Sequence, residues 1–333
     1  MRAILLIAAL GLASGAMAAT PSVPRASDGR PDLTGYWTNA SVTRLTRSPN
    51  EKRLVVSPAE AKAMADVRNR IFDADNAPTD PGKGAPAPGD PGGYNTFWLD
   101  AGRSLGLVRG EYRTSWIVDP ADGQLPLSDQ GKALVKEAAA FSVRADTPDN
   151  PEGLEPWDRC IISSRGSGGP GMLNNIYNSN YQIVQTPGAV AIQIEMVHDV
   201  RTIPLFANKA EAQAGHRPAA LQPWLGDSTG WWEGDVLVVE TVNVNREQGR
   251  AGPLFLTPQG RVTERFERVS PGQIAYSFEV EDRAYYTRPW RAEMSLNARP
   301  DRLFEYTCHE GNYAMGNILR GVRVKERATA SAP

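Results

Sequence analysis

Two short segments of the sequence set a histidine among carboxylates. One reads Glu195-Met196-Val197-His198-Asp199-Val200-Arg201, the other Cys308-His309-Glu310-Gly311-Asn312-Tyr313. An imidazole titrates close to neutral pH, so a neighbouring carboxylate that orients it makes it a general acid or base. In that chemistry His198 or His309 moves a proton, Glu195 or Glu310 orients the ring, and Arg201 or Arg113 holds a substrate carboxylate. The bland alternative is a polar turn and a strand-end histidine bonded to backbone. Two such clusters in one barrel favour the functional reading if they meet at the same end. The third histidine, His216 between Gly215 and Arg217, reads as a solvated loop residue. There is no His-x-His, no H-E-x-x-H and no other tight ligand pair, so neither a metal site nor a cofactor is expected.

Further polar residues extend this set. Asn174, Asn175, Tyr177, Asn178, Asn180 and Tyr181 suit hydrogen bonding and stacking against a ring-bearing ligand, and they equally suit turns. Glu264 and Arg268 share the strand face of Val262 and Phe266, and a charge on an apolar face must be paired or functional. Tyr177, Tyr181, Asn312 and Glu264 therefore join Arg113 and Arg201 as candidate substrate-binding residues. Cys160 and Cys308 are the two cysteines. In an oxidising compartment they form a disulfide worth roughly 5 kcal/mol in the chain-entropy model, and otherwise they are buried thiols.

Two better-known patterns fail on their surroundings. Gly166-Ser167-Gly168-Gly169-Pro170-Gly171 fits G-x-G-x-x-G, but no helix opens after it to receive a phosphate. Gly226-Asp227-Ser228-Thr229-Gly230 fits the G-x-S-x-G of serine hydrolases, yet a hairpin rather than a helix follows. A hydrolase using Ser228, with His309 or His198 as base, is the third of three functional readings.

The elements that position these residues are mainly strands. From residue 181 onward the hydrophobic period becomes two, giving strands over 181–185, 190–196, 200–205, 236–242, 262–269, 274–281, 290–296 and 303–308. Glu233-Gly234-Asp235 and Ser270-Pro271-Gly272 mark hairpin turns. Ile274, Tyr276, Phe278 and Val280 share one face, as do Trp290, Ala292, Met294 and Leu296. With no helix expected between them, these strands predict an antiparallel meander closing into a barrel, which removes exposed edges.

The N-terminal part, about residues 51–160, carries two peripheral helices and long Pro/Gly-rich loops, notably residues 77–93. Ser57-Pro58 with Glu60 outlines a capping box, and Met64, Val67, Ile71 and Phe72 recur as an inner face. Residues 113–119 read as a strand stopped by Pro120-Ala121-Asp122-Gly123, and Ser128 caps a second helix to about residue 141.

Residues 1–18 have the form of a cleavable signal peptide. Arg2 precedes an apolar run, and Ala16-Met17-Ala18 offers the small-x-small cleavage pattern. The run is shorter than the roughly 20 apolar residues a membrane span needs, so no stable anchor is expected and the mature chain, 19–333, is a single periplasmic barrel domain. Basic residues number 36 against 38 acidic ones, for a net charge of −2, which excludes nucleic acid as a main partner.

Gly35-Tyr36-Trp37, just ahead of the strands, resembles the Gly-x-Trp that opens the first strand of lipocalin-like barrels, where the Trp plugs one barrel end. Arg159-Cys160, residues 181–188, Trp232-Glu233-Gly234-Asp235, residues 262–266 and residues 306–313 together resemble a large family of exported bacterial proteins. That resemblance covers nearly the whole mature chain, implies one domain, and carries no catalytic residues with it. It hints at lignin-type aromatic substrates. The leading expectation is a lyase-type enzyme, such as a decarboxylase, acting on an aromatic acid inside the barrel. The alternative is a non-catalytic carrier of an apolar small molecule.

Overall fold

A computed structural model describes residues 22–77, 82, 84, 99–144, 150–163, 166–249 and 252–330. The expected signal peptide, and nearly all of the 77–93 loop, lie outside the described residues.

The N-terminal elements are β1 (Gly35–Thr38), β2 (Val55–Val56), α1 (Pro58–Asp75), β3 (Leu107–Val108), β4 (Glu111–Arg113), β5 (Ile117–Asp119) and α2 (Asp129–Arg144). Then follow β6 (Asn180–Gln185), β7 (Ala189–Ile194), β8 (Val200–Phe206), α3 (Lys209–Ala214), β9 (Asp227–Glu233), β10 (Val236–Val242) and α4 (Arg246–Gly249). The chain ends with β11 (Arg261–Ser270), β12 (Gln273–Glu281), β13 (Trp290–Ala298) and α5 (Ala314–Ala330).

Nine strands close into a barrel in the order β1-β6-β7-β8-β9-β10-β11-β12-β13, with β1 paired back to β13 through Trp37↔Ala298 and Thr38↔Asn297. β5 adds a tenth strand beside β13, while β2, β4 and β3 form a small separate sheet. The mainly β barrel expected from the alternation is present. Ile274, Tyr276, Phe278 and Val280 are buried, as are Trp290, Ala292, Met294 and Leu296. The capping box of α1 is formed, with Ser57 and Glu60 each bonding the other's backbone N–H.

Strand directions give the barrel two unlike ends. At one, the turns 186–188, 234–235 and 271–272 are short. There Trp37 is buried, its Nε1 donates to the Leu33 carbonyl at 3.0 Å, and the Arg268 guanidinium lies 5.0 Å from the ring centroid. Arg268 also donates to the carbonyls of Asp32, Ser270 and Pro271. Its charge is thus answered by a ring face and by peptide oxygens. At the other end the connections are long, and residues 166–173 fold into the mouth as a plug with Met172 fully buried.

Five expectations are corrected. β8 and β9 pair in parallel, through Leu205↔Gly230 and Phe206↔Trp231, because residues 207–226, including α3, carry the chain back along the barrel's outside. Residues 303–308 form no strand: β1–β13 pairing has already closed the sheet, leaving no edge to extend. Among the described residues there are five α-helices rather than two, three of them seven residues or longer. α1 buries Ala61 and Ala65, with Met64 of the expected inner face packed partly buried beside them, while Val67 and Ile71 are exposed. The expected strand 113–119 is two short strands broken by residues 114–116.

Candidate functional site

Arg201 enters the barrel from β8 and Glu264 from β11, and the two meet side-on in its interior. Arg201 Nη1 donates to Glu264 Oε1 at 3.0 Å, Nη2 donates to Oε2, and both side chains are almost completely buried. Glu264 Oε1 accepts two more hydrogen bonds, from Tyr276 Oη at 2.6 Å and from the Gly171 amide of the plug at 3.2 Å. Arg201 Nη2 further donates to Ser228 Oγ at 3.3 Å and Thr241 Oγ1 at 3.2 Å, and these hydroxyls lie 2.8 Å apart.

The plug is tied to the same cluster from above. Tyr181 Oη donates to the Ser167 carbonyl at 3.1 Å, while Asn39 Nδ2 donates to the Met172 carbonyl at 2.7 Å and to Tyr181 Oη at 3.2 Å. Gly169 has φ +85°, and a Cβ there would stand 2.5 Å from Arg201 Nη1, so a side chain would collide with the guanidinium. The glycine-rich motif therefore serves close approach to an arginine.

Burial and the neighbouring Glu264 charge raise the Tyr276 pKa well above its usual value, so its phenol keeps its proton and donates it. Burial likewise raises Tyr181. For Arg201 burial works against the charge, but Glu264 outweighs it and the guanidinium is held charged. Two polar atoms of the cluster, Arg201 Nε and Asn39 Oδ1, are buried without a hydrogen-bond partner among the described residues.

Four residues singled out in the sequence, Arg201, Glu264, Tyr181 and Ser228, are thus brought together. The others are not. His198 is exposed on the β7–β8 connection, where Val197 and His198 have φ 60° and 47°. Glu195 beside it is buried and accepts from Asn178 Nδ2 at 3.0 Å, Asn180 Nδ2 at 2.8 Å and the Phe304 amide at 2.8 Å. Its carboxylate anchors the 299–308 segment rather than an imidazole. His309 and Glu310 are exposed, and Asn312 accepts from the Ala314 amide at the start of α5. Arg113 pairs with Glu111 at 3.1 Å and Glu293 at 3.2 Å outside the barrel. Tyr177 is half-buried against the core. Cys160 and Cys308 form a disulfide, Cα atoms 5.9 Å apart, which fits an oxidising compartment.

Ser228 lies within β9, not on an elbow, and its hydroxyl meets Thr241 and Arg201 but no histidine. The histidine near β9 is His216, on the outside. Its Nδ1 stands 3.0 Å from Asp227 Oδ2 and its Nε2 3.3 Å from Glu240 Oε1. The expectation of a solvated His216 is corrected: it clamps the 207–226 crossover to the β9–β10 hairpin. Sequence reasoning also missed Tyr276, Thr241 and Asn39. For Tyr276 a signal existed, since it faces the same side of β12 as Phe278 and pairs across from Phe266.

Comparison with family models, curated proteins and solved structures returns no match. Among the described residues no helix is long and apolar enough to cross a membrane, and no group of three or more metal-ligating side chains occurs. Fold and cluster together define a closed β-barrel with a desolvated polar centre, an architecture consistent with a barrel binding protein.

Proposed function

We propose that this chain binds a small aromatic carboxylate at the plugged end of its barrel, in the periplasm of the cell that exports it. The observation that carries the reading is the unmatched pair of buried polar atoms, the donor Arg201 Nε and the acceptor Asn39 Oδ1, in a cluster that is otherwise hydrogen-bonded. A carboxylate would satisfy the donor and a hydroxyl the acceptor. The aromatic rings of Phe266, Tyr276, Phe278 and Trp290 pack in succession through the interior, two pairs tilted and the last edge-to-face, at centroid distances of 4.9, 5.8 and 5.7 Å, an aromatic lining that suits a ring-bearing guest. Entry requires residues 166–171 to withdraw, and glycines with positive φ at Gly166, Gly169 and Gly171 supply backbone freedom there.

Binding, rather than turnover, is what this placement favours. The exposure of His198 and His309 gives no support to a proton-transfer role, and the acid–base groups facing the interior include Glu264, Tyr276 and Tyr181. The test is calorimetric titration of the purified chain with a panel of aromatic acids, repeated on Arg201→Met/Glu264→Leu. Loss of one saturable site in the double variant supports the reading; no binding, or an unchanged number of sites, ends it.

A further inference from the structure

Outside the barrel, at the same end, a groove of about 520 Å³ runs between α2 and the 255–259 segment, a size that suits a one- or two-ring molecule. Leu134, Glu137 and Ala138 line one side from a single face of α2, Leu256 the other, and Tyr285 and Arg246 are among the further residues that line it. We propose that this groove is a second, separate binding site for a small phenolic or amino-substituted aromatic acid. It does not depend on the interior cluster.

Its walls are fixed in advance. The α2 start is seated on the 284–285 backbone: Ser128 N donates to the Tyr285 carbonyl at 2.9 Å, and a Cβ on Gly131 would stand 1.9 Å from that oxygen. The facing segment is held by Asp282, which accepts from Thr257 N at 2.6 Å and Thr257 Oγ1 at 2.9 Å. Tyr286 Oη bonds both the amide and the carbonyl of Phe255, at 3.2 and 2.9 Å. Tyr285 itself stacks on Phe255 with ring centroids 5.5 Å apart, so the aromatic wall is rigid. A groove whose walls need no ordering on binding loses little entropy to its guest.

The charged groups define the ligand. Arg246 and Glu137 both line the groove, both are exposed, and neither side chain makes a hydrogen bond or ion pair with another described residue. A guest carboxylate answers Arg246, and a hydroxyl or amine donor on the same ring answers Glu137, while the apolar body meets Leu134, Leu256 and Tyr285. A simple anion without the donor would leave Glu137 facing it as a like charge.

The experiment is calorimetric titration with 4-hydroxybenzoate, benzoate and phenol. The wild-type chain is expected to bind 4-hydroxybenzoate about tenfold more tightly than either comparator. Arg246→Gln should weaken binding at this site by about tenfold, and Ala138→Trp, which fills the groove from a half-buried position on α2, should abolish it there. Glu137→Gln should narrow the gap between 4-hydroxybenzoate and benzoate. Arg201→Met/Glu264→Leu should leave this site intact. The proposal is overturned if 4-hydroxybenzoate does not bind, or if it binds equally to wild type, Arg246→Gln and Ala138→Trp. Loss confined to the interior double variant would overturn it too, while favouring the interior reading.

Discussion

Tyr276 donates its phenolic proton to Glu264 from 2.6 Å, on adjacent strands and inside a barrel where neither side chain meets water. That bond and the Arg201 fork give Glu264 its complement of partners, and they make the cluster a unit that fails asymmetrically. Removing one member of a buried ion pair strands the other, at a cost of about 3–5 kcal/mol, whereas replacing both by apolar groups is often neutral. Glu264→Leu should therefore lower the urea unfolding free energy by about that amount. The double variant Arg201→Met/Glu264→Leu should recover most of it, and two-state urea curves for the three proteins check the prediction.

The His216 clamp predicts a bell-shaped pH dependence. Burial opposes its charge, but hydrogen bonds to Glu240 and Asp227 outweigh burial and raise its pKa. For the two carboxylates burial acts upward and is overcome, at Asp227 by bonds from Arg217 and His216, at Glu240 by bonds from His216 and Gln213, so both lie below their usual range. The His216 contribution is complete below its unfolded pKa of about 6.5 and is lost as pH rises through the raised folded value. The carboxylate contributions are complete above their unfolded values, near 4, and are lost as pH falls through the depressed ones. Stability relative to His216→Gln should peak between these limits, read as the difference in urea midpoint from pH 3 to pH 9.

The disulfide links Cys160 to Cys308 across 148 residues, and chain entropy alone sets its contribution at roughly 5 kcal/mol as an upper figure. Because β1–β13 pairing closes the barrel without it, reduction should lower the thermal midpoint while leaving the far-ultraviolet strand signal at room temperature. Loss of that signal on reduction alone would show that the bridge holds the barrel itself.

Gly131 admits no side chain, since its Cβ would press on the Tyr285 carbonyl. Gly131→Ala should force α2 off its seat at a cost of about 1–3 kcal/mol. Hydrogen exchange should show the amides of residues 129–140 losing protection, with those of β11 and β12 unchanged.

Local patterns were the legible part of this molecule. Alternation along 274–280 and 290–296 marked the buried faces, and Ser57 with Glu60 marked a helix start. The parallel β8–β9 step left no signal, because residues 207–226 mix Ala, Gly and Pro with scattered polar side chains and carry no sustained period. Leu303-Phe304-Glu305-Tyr306 alternates like a strand, but strand formation also needs a free edge. At the site, Glu264 was visible as a charge on an apolar face. Its partner is 63 residues away, and that meeting is set by barrel closure, not local sequence. His216 was misread for the same reason, since Asp227 and Glu240 lie 11 and 24 residues further along.

The central claim is that the plugged interior, with Arg201 at its heart, receives an aromatic carboxylate. It is tested most directly by calorimetric titration of wild type and of folded Arg201→Met/Glu264→Leu with the same aromatic acid, each also carrying Ala138→Trp to close the outer groove. Saturable binding is expected with the ion pair present and none without it. Equal binding by the two proteins, or by neither, would contradict it.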